Sequence, residues 1–359
     1  MYNGSGLSFL DATFRSIYPQ DLESRQLAET RLNQLTMPHW ALGDLMDLAV
    51  DLAGMTRSMR PVVTRKKVVV MVGDHGVTTE GVSLYPAEVT TQMVHNFIRG
   101  GAGINALAKC SRTEVCVVDV GAREDFADLV REGKVIAKKI GRGTANMVHG
   151  PAMTRTHAVM AVEAGIEVAN SLAGTTDVFG TGEMGIGNTT PSTAIAATFT
   201  GKKVSELTGR GTGIDDARLQ QKIAVIERAL HVNKPNPKDG LDVLAKVGGF
   251  EIGAIAGLII GAAAQRKPVI VDGFISTAGA MIAYSLEPFV RDFLICAHRS
   301  MEPGHGALLD KLQRRPLLDL NLRLGEGTGA ALAMHLVEAA VAILIEVATF
   351  TEAGVSGSV

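Results

Sequence analysis

The sequence predicts an α/β fold, a parallel sheet with helices on both of its faces. Short runs rich in Val and Ile alternate along the chain with stretches that show helical periodicity, and glycine-rich segments follow several of these runs. Strands that are covered on both faces appear in sequence as nearly continuous apolar runs, which is the pattern here. The length of 359 residues and a hydrophobic share of 46% allow a sizeable core.

The elements follow that alternation in order. Residues 1 to about 60 contain no β-branched run and show apolar positions at helical spacing, so a small helical segment begins the chain. The predicted strands are KKVVVMVGD from Lys66, VCVVDVGA, TDVFG, PVIVDG and FLICAH. The predicted helices span 87–108, 154–172, 191–200, 215–230, 249–265 and 276–285, and residues 231–240 form a surface loop.

Composition excludes several classes of function. The net charge of −2 supplies no broad attraction for nucleic acid or for an anionic membrane, so a small-molecule ligand is expected. The three cysteines show no disulfide or zinc spacing, and the N-terminus does not resemble a signal peptide, so we expect a cytoplasmic protein. The apolar segments 253–264 and 330–350 are interpreted as helices packed inside the protein.

Polar and glycine-rich motifs follow the predicted strands directly, where ligands bind in open α/β sheets. One of them contains Gly180, Gly182 and Gly185 in the spacing G-x-G-x-x-G, which alone suggests an NAD-dependent oxidoreductase. Pro191 indicates, however, that the loop extends to about residue 190 before a helix begins. A glycine-rich loop of this kind suits a single phosphate, and a merely tight turn is the alternative.

Two charged side chains near glycines are further candidates. Lys222 lies about two turns into the helix that follows GRGTGIDD, where it could reach an anion or only face solvent. Glu326 lies between Gly325 and Gly327, directly before a long apolar helix. Partial burial would move its pKa toward neutrality and suit a general base, whereas favourable charge at a helix start is the plain alternative.

A metal site is not predicted, and neither is a cofactor. GDHG and AHRSMEPGH contain acidic and histidine residues, but no pair has the helical spacing of a zinc motif. Pro303 and Gly304 suggest that the second motif is a turn, so a polar turn network or a ligand-facing loop is expected there.

Eight motifs in order over roughly residues 20–350 resemble the nicotinate-nucleotide–dimethylbenzimidazole phosphoribosyltransferase family. They are GDHGV, YPAEVTTQMV, GTGEMGIGNTT, GTGIDD, GGFEIGAIAG, VDGFISTAGA, AHRSMEPGH and LNLRLGEGTGAALA. The resemblance implies a Rossmann-like sheet plus a small helical domain formed from both chain ends. We therefore expect a small domain of residues 1–64 with about 330–359, and a large nucleotide- and base-binding domain of 65–329.

The same resemblance implies roles for individual residues. Glu326 corresponds to the catalytic base, and Glu183 would lie near the sugar, either in the chemistry or only binding ribose hydroxyls. The implied nucleotide- and phosphate-binding residues are Met184, Gly185, Ile186, Gly187, Asn188, Gly211, Lys222, Gly249, Asp272 and Ser300. The implied base-binding residues are Ser83, Tyr85, Gln92 and Leu324.

The implied reaction moves phosphoribose from nicotinate mononucleotide to an aromatic base or a phenol, with inversion at C1′. Tyr85 departs from the Phe or smaller residue that many members carry, which leaves the preferred acceptor open. The implied assembly is a homodimer or a heterodimer with a paralogous chain. A catalytically silent helper subunit of such a heterodimer is an alternative, although Glu326 argues against it.

Overall fold

The computed structural model describes residues 8–211 and 213–356. The first seven residues of the predicted N-terminal helical segment, and Thr212 of the GTGIDD motif, lie outside the described residues. The central sheet has six parallel strands in the order β3-β2-β1-β4-β5-β6, which confirms the predicted fold class. The strands are Lys66–Gly73 (β1), Glu114–Gly121 (β2), Val135–Ala137 (β3), Val178–Met184 (β4), Val269–Val271 (β5) and Leu294–Cys296 (β6).

Helices cover both faces of this sheet and build the region around the chain ends. In chain order they are Phe9–Phe14 (α1), Leu22–Leu32 (α2), Asp44–Thr56 (α3), Val89–Arg99 (α4), Gly103–Cys110 (α5), Ala127–Arg131 (α6), Arg155–Leu172 (α7), Thr189–Thr200 (α8), Val204–Leu207 (α9), Asp216–Asn233 (α10), Gly240–Val247 (α11), Phe250–Ala264 (α12), Phe274–Leu286 (α13), Pro303–Leu312 (α14), Thr328–Glu346 (α15) and Phe350–Ala353 (α16).

The strand order places β1 and β4 side by side at the centre of the sheet, where the direction of winding reverses. All eight residues of β1 are buried, as expected for a strand covered on both faces. Its register with β4 pairs Val70 with Gly182 and Val72 with Met184. Because the crevice of an open α/β sheet opens at such a switch point, the segments after β1 and β4 are placed to bind a ligand.

Several helices and strands begin or end at other residues than the sequence predicted. Strand β4 continues through Glu183 and Met184, which the sequence assigned to a loop, so the loop begins only at Gly185. The predicted helix 87–108 is two helices, since the chain turns at Gly100 with φ of +78°.

The predicted turn at Pro303 was wrong. Pro303 occupies the first turn of α14, a position where its missing N–H costs nothing. Short strand β3 and helix α11 were not predicted. The three residues of β3 lie between Lys134 and Lys138, so no longer apolar run marks them in the sequence.

The two chain ends meet beside the sheet. Arg31 of α2 donates through Nε to the carbonyl oxygen of Leu344 at 2.8 Å, and Leu35 forms an isolated antiparallel bridge with Thr349. Helix α15 packs against α3 and also against β1, β4 and β5. Because α15 serves both regions, the division into 1–64 with about 330–359 and 65–329 stays a prediction.

Helix α15 is also the only described helix that is long and apolar enough, by length and composition alone, to cross a membrane. Most of it is buried inside the protein, and Glu338 on its surface pairs with Lys66 of β1. These contacts are those of a core helix, as the sequence interpretation expected.

Candidate active site

A cavity of about 710 Å³ opens at the carboxyl ends of β4, β5 and β6. Thirteen of the sixteen predicted site residues line it, so the separate sequence motifs converge on one place. They are Ser83, Tyr85, Glu183, Met184, Gly185, Ile186, Gly187, Asn188, Gly211, Asp272, Ser300, Leu324 and Glu326.

Glu326 enters the cavity from an unusual backbone segment. Gly325, Glu326 and Gly327 all have left-handed φ, at +86°, +62° and +96°, directly before α15 begins. A left-handed conformation is uncommon for a residue with a side chain, and away from helix ends such residues cluster at active sites and ligand-binding segments. The glycine at 182 is needed here as well, because a Cβ at that position would lie 2.5 Å from the Glu326 carbonyl oxygen.

The Glu326 carboxylate lies at the amino end of α5. Its Oε2 accepts a hydrogen bond from the backbone N–H of Ile104 at 3.0 Å, and the side chain is buried. Burial raises the pKa of Glu326, the Ile104 N–H opposes that rise, and the charge of Asp272 adds to it. The result is a positioned carboxylate that accepts a proton more readily than an exposed glutamate does.

Glu183 is the second buried carboxyl group of the cavity. Asn188 donates through Nδ2 to its Oε2, and the backbone N–H of Glu326 donates to its Oε1 at 3.4 Å. Burial raises the pKa of Glu183 to about 8, with the charges of Asp272 and Glu251 contributing in the same direction. Glu183 is therefore mostly protonated at neutral pH.

Asp272 follows β5 and fixes the segment that carries Glu326. Its Oδ2 accepts from the N–H of Gly327 at 3.2 Å, and its Oδ1 accepts from the N–H of Ala330 at 3.0 Å. Its own N–H donates to Thr181 Oγ1 at 3.1 Å. Asp272 thus satisfies the free amides at the start of α15, although burial raises its pKa.

The loop after β4 leads through Gly187, at φ of +88°, into the amino end of α8. Buried Thr90 of α4 accepts the N–H of Ile186 at 3.1 Å and holds the loop in place. Backbone amides at the start of a helix suit a phosphate group.

Lys222 lies behind Thr189 and does not itself line the cavity. Its side chain is fully buried, which contradicts the solvent-facing alternative. Nζ donates to Thr189 Oγ1 at 2.8 Å and to the Gly209 carbonyl oxygen at 3.4 Å. Burial lowers the pKa of Lys222 to about 8. Thr189 and Gly211 separate the ammonium group from the cavity that they line.

Two other predicted residues also lie outside the cavity wall. Gly249 packs behind it, where a Cβ would lie 2.5 Å from Cε1 of His75 and 2.6 Å from Oε2 of Glu251. Gln92 is exposed on α4, whereas its neighbours Val89 and Met93 line the cavity. Direct contact of Gly249 with a nucleotide, and of Gln92 with a base, is therefore not what this geometry favours.

Several lining residues were not predicted. Asn321, Leu322, Arg323 and Gly325 belong to the LNLRLGEG motif, so the motif was identified but these lining residues were not. The complete set of unpredicted lining residues is Val82, Val89, Met93, Thr189, Gly273, Phe274, Ile275, Ser276, His298, Glu302, Asn321, Leu322, Arg323 and Gly325.

The AHRSMEPGH motif after β6 forms a chain of hydrogen bonds from Ser300 through His305 to Thr277 of α13. His305 accepts the N–H of Ser300 at Nδ1 (2.9 Å), so the ring proton is on Nε2, which donates to Thr277 Oγ1 at 3.0 Å. The Thr277 hydroxyl in turn donates to the Gly273 carbonyl oxygen at 2.8 Å. Burial lowers the pKa of His305 to about 3. Within residues 8–211 and 213–356, no cluster of three or more His, Cys, Asp or Glu is arranged to hold a metal.

Of the three G-x-G-x-x-G glycines, Gly185 lines the cavity and the other two serve packing. Gly180 and Gly182 lie inside β4, and a Cβ at Gly180 would lie 2.9 Å from Val68 Cγ2 and 3.1 Å from Met334 Cε of α15. A dinucleotide fingerprint instead places its glycines at the helix entry. The basis of the oxidoreductase hypothesis is therefore removed.

A parallel sheet with a glycine-rich loop at the start of a helix and a buried carboxylate in one cavity agrees with a group-transfer enzyme, and residues 17–355 match the model of a phosphoribosyltransferase family. Among curated proteins, the nicotinate-nucleotide–dimethylbenzimidazole phosphoribosyltransferase of Desulfotalea psychrophila is 61% identical over 351 residues, 98% of this chain and 99% of that protein. That of Syntrophotalea carbinolica is 59% identical over 350 residues, with the same coverage.

Comparison with solved structures gives the same result as comparison with the curated proteins. The crystal structure of the Thermus thermophilus enzyme of the same name superposes with a TM-score of 0.89 at 44% identity, covering 94% of this chain and all of that one. The chain belongs to the nicotinate-nucleotide–dimethylbenzimidazole phosphoribosyltransferase family, which confirms the resemblance that the sequence motifs indicated.

Proposed function

We propose that this chain transfers 5-phosphoribose from nicotinate mononucleotide to a cobamide lower-ligand base, releasing nicotinate and an α-ribotide. The acceptor is 5,6-dimethylbenzimidazole or a related benzimidazole, purine or phenol. The names of the relatives support the donor and the acceptor class. The observation that carries the proposal is the Glu326 carboxylate, buried and hydrogen-bonded in a cavity that is also lined by the loop of residues 185–188.

The chemistry needs one proton acceptor. The pyridine nitrogen of the donor is cationic, so the bond from that nitrogen to C1′ breaks and the ring nitrogen of the departing nicotinate becomes neutral. An acceptor ring nitrogen attacks C1′ from the opposite face and inverts its configuration, and Glu326 takes the N–H proton of the acceptor. A phenol would lose its hydroxyl proton to the same carboxylate. General-base catalysis of this kind contributes about 10² to 10⁴-fold.

Glu183 is assigned to the ribose. A carboxyl group that is mostly protonated at neutral pH can donate to one hydroxyl and accept from another, as the pKa of about 8 indicates. The same protonation removes the charge that would stabilise a cationic sugar, so binding is the role that the pKa favours over direct chemistry.

The phosphate is assigned to the loop of residues 185–188 with Gly211 and Ser300, and Lys222 supplies positive charge from behind Thr189. The acceptor is assigned to the mouth of the cavity near Ser83, Tyr85 and Leu324. Val89 and Met93 give this part of the wall an apolar surface suited to an aromatic ring.

The test is turnover by the purified chain alone. It is mixed with nicotinate mononucleotide and a panel of benzimidazoles, purines and phenols, and products are identified by mass spectrometry. We expect released nicotinate and a ribosylated acceptor in equal amounts, and a loss of about 10² to 10⁴-fold in Glu326→Gln. Activity that appears only after a paralogous chain is added would favour the helper-subunit hypothesis. Measurement of molecular size in the same samples tests whether the chain forms the homodimer that the family resemblance implies.

A further inference from the structure

The cavity is rich in carboxyl groups for a site that would take an anionic donor, and of these groups Glu183 is mostly protonated at neutral pH. Glu183, Asp272, Glu302 and Glu326 all line it. Nicotinate mononucleotide carries a phosphate at one end, a ring carboxylate at the other and the cationic ring nitrogen between them. Two anionic groups in such surroundings require cationic partners, because carboxylates facing an anion oppose its binding.

Two cations are available for these two groups. Lys222 is fully buried and contacts Thr189, next to the loop assigned to the phosphate. Arg323 is the only Lys or Arg among the described residues that line the cavity, and its side chain is exposed. One cation is therefore fixed behind the phosphate loop and the other is on the accessible surface.

Arg323 is also without a partner in the described part of the chain: its guanidinium makes no ion pair and no hydrogen bond there. Neighbouring arginines are paired, since Arg299 lies 3.7 Å from Asp319 and Arg315 lies 3.5 Å from Asp44. A guanidinium without a partner among the described residues keeps all five of its N–H donors available for an incoming ligand.

We propose that Arg323 binds the ring carboxylate of the donor and thereby distinguishes nicotinate nucleotides from nicotinamide nucleotides. This inference rests on the proposed function and adds to it a residue that selects the donor. Arg323 is three residues before Glu326, and both residues line the cavity. Guanidinium and carboxylate form paired, charge-assisted hydrogen bonds, which a neutral carboxamide does not reproduce.

The experiment compares two donors in two proteins. Arg323→Gln and the native chain are assayed with nicotinate mononucleotide and with nicotinamide mononucleotide, using one acceptor. We expect kcat/KM for the nicotinate donor to fall about tenfold, mainly through KM, as loss of a hydrogen bond to a charged group predicts. The nicotinamide donor should change less than about twofold, so the preference for nicotinate decreases.

Two control variants are assayed with the same two donors. Arg323→Lys keeps the charge and should recover part of the preference. Arg315→Gln removes an exposed arginine outside the cavity and should leave both donors unchanged. An equal fall for both donors would assign Arg323 to the phosphate instead and overturn the proposal, and so would an unchanged ratio.

A binding measurement separates this inference from the proposed function. Free nicotinate is titrated calorimetrically into the native chain and into Arg323→Gln, with nicotinamide as the second ligand. We expect about tenfold weaker nicotinate binding in the variant, whether or not the chain turns over the donors tested. Equal nicotinate affinity in the two proteins, or no nicotinate binding by the native chain, would contradict the assignment. Absence of transfer with intact, Arg323-dependent nicotinate binding would contradict only the proposed reaction.

Discussion

The floor and the rim of the cavity differ in how their side chains are held. The floor consists of Glu183, Asp272 and Glu326, which are at most 6% exposed and all hydrogen-bonded to protein groups. The rim consists of Tyr85, Arg323 and Leu324, and Tyr85 and Leu324 are 55% and 60% exposed. A fixed floor suits a reaction that is the same for every substrate, whereas an accessible rim suits selection among them.

This difference leads to an ordered set of expectations. Changes in the floor should lower turnover with every acceptor, because they disturb the group that takes the proton. Changes in the rim should alter the relative rates of different substrates, and changes outside the cavity should do neither.

Apart from Glu326→Gln, the largest loss of turnover is expected for Asp272→Ala. The N–H groups of Gly327 and Ala330 would lose their acceptor, and the left-handed segment that holds Glu326 would lose its anchor. We expect kcat to fall about 100-fold, as misplacement of a catalytic group by about 1 Å does. Steady-state kinetics with a thermal melt as the folding control measures it. A folded variant with native kcat would show that Asp272 does not position Glu326.

Lys222→Met should have the next largest effect. With its ammonium group removed, the phosphate loses the cation behind its loop, and we expect KM for nicotinate mononucleotide to rise about tenfold. Nicotinate riboside, which lacks the phosphate, is the control donor and should react equally with both proteins. An equal loss with the riboside would assign Lys222 to loop structure alone.

Tyr85→Ala and Gln92→Ala form a matched pair for the rim. Tyr85 lines the cavity, and Gln92 is exposed outside it. Loss of an aromatic contact predicts a fall of about 2- to 10-fold in kcat/KM for the acceptor with Tyr85→Ala, at unchanged donor KM. Gln92→Ala should stay within about twofold of the native value. A reversed order of the two variants would place the acceptor against Gln92.

Glu183→Gln tests the floor through stability. Burial raises the pKa of Glu183 to about 8, above its ordinary value of 4.5, so the folded protein retains a proton that the unfolded chain loses. Its contribution to stability is therefore fully present below pH 4.5 and is lost as pH rises through about 8. We expect Glu183→Gln to raise Tm by on the order of a few °C at pH 9.

The control for that prediction is the same pair of proteins at pH 4, below the ordinary value of 4.5, where Glu183 is mostly protonated in both the folded and the unfolded state and the two melting temperatures should nearly coincide. A Tm difference that does not change between about pH 4 and about pH 9 would show that the carboxyl group has an ordinary pKa.

The sequence predicted the alternation of strands and helices and most of the floor. It did so because apolar periodicity marks buried strands, and because ligand-binding residues follow strands in this fold. It placed Glu326 before α15, but the three consecutive left-handed residues that direct this side chain into the cavity depend on close contact with Gly182. That contact joins segments about 140 residues apart and leaves no local pattern.

The residues of the rim, and the residues that lie behind the cavity wall, were less predictable from the sequence. Lys222 and Gly249 lie behind the wall because of how α10 and α12 pack, which the spacing of residues within a motif does not encode. On α4 the sequence favoured Gln92, whereas the apolar Val89 and Met93 line the cavity. Arg323 was passed over because an arginine in an irregular segment has the same local signature whether it faces solvent or a site.

The central claim is that the Glu326 carboxylate takes the proton of the acceptor. The most direct test is the dependence of kcat/KM for the acceptor on pH, in the native chain and in Glu326→Gln. Burial raises the pKa of Glu326, so the native profile should fall on the acid side at a pH above the ordinary glutamate value. The variant should bind nicotinate mononucleotide normally and lose both the acid limb and most of the turnover. An unchanged acid limb in Glu326→Gln, at the native rate, would contradict the account.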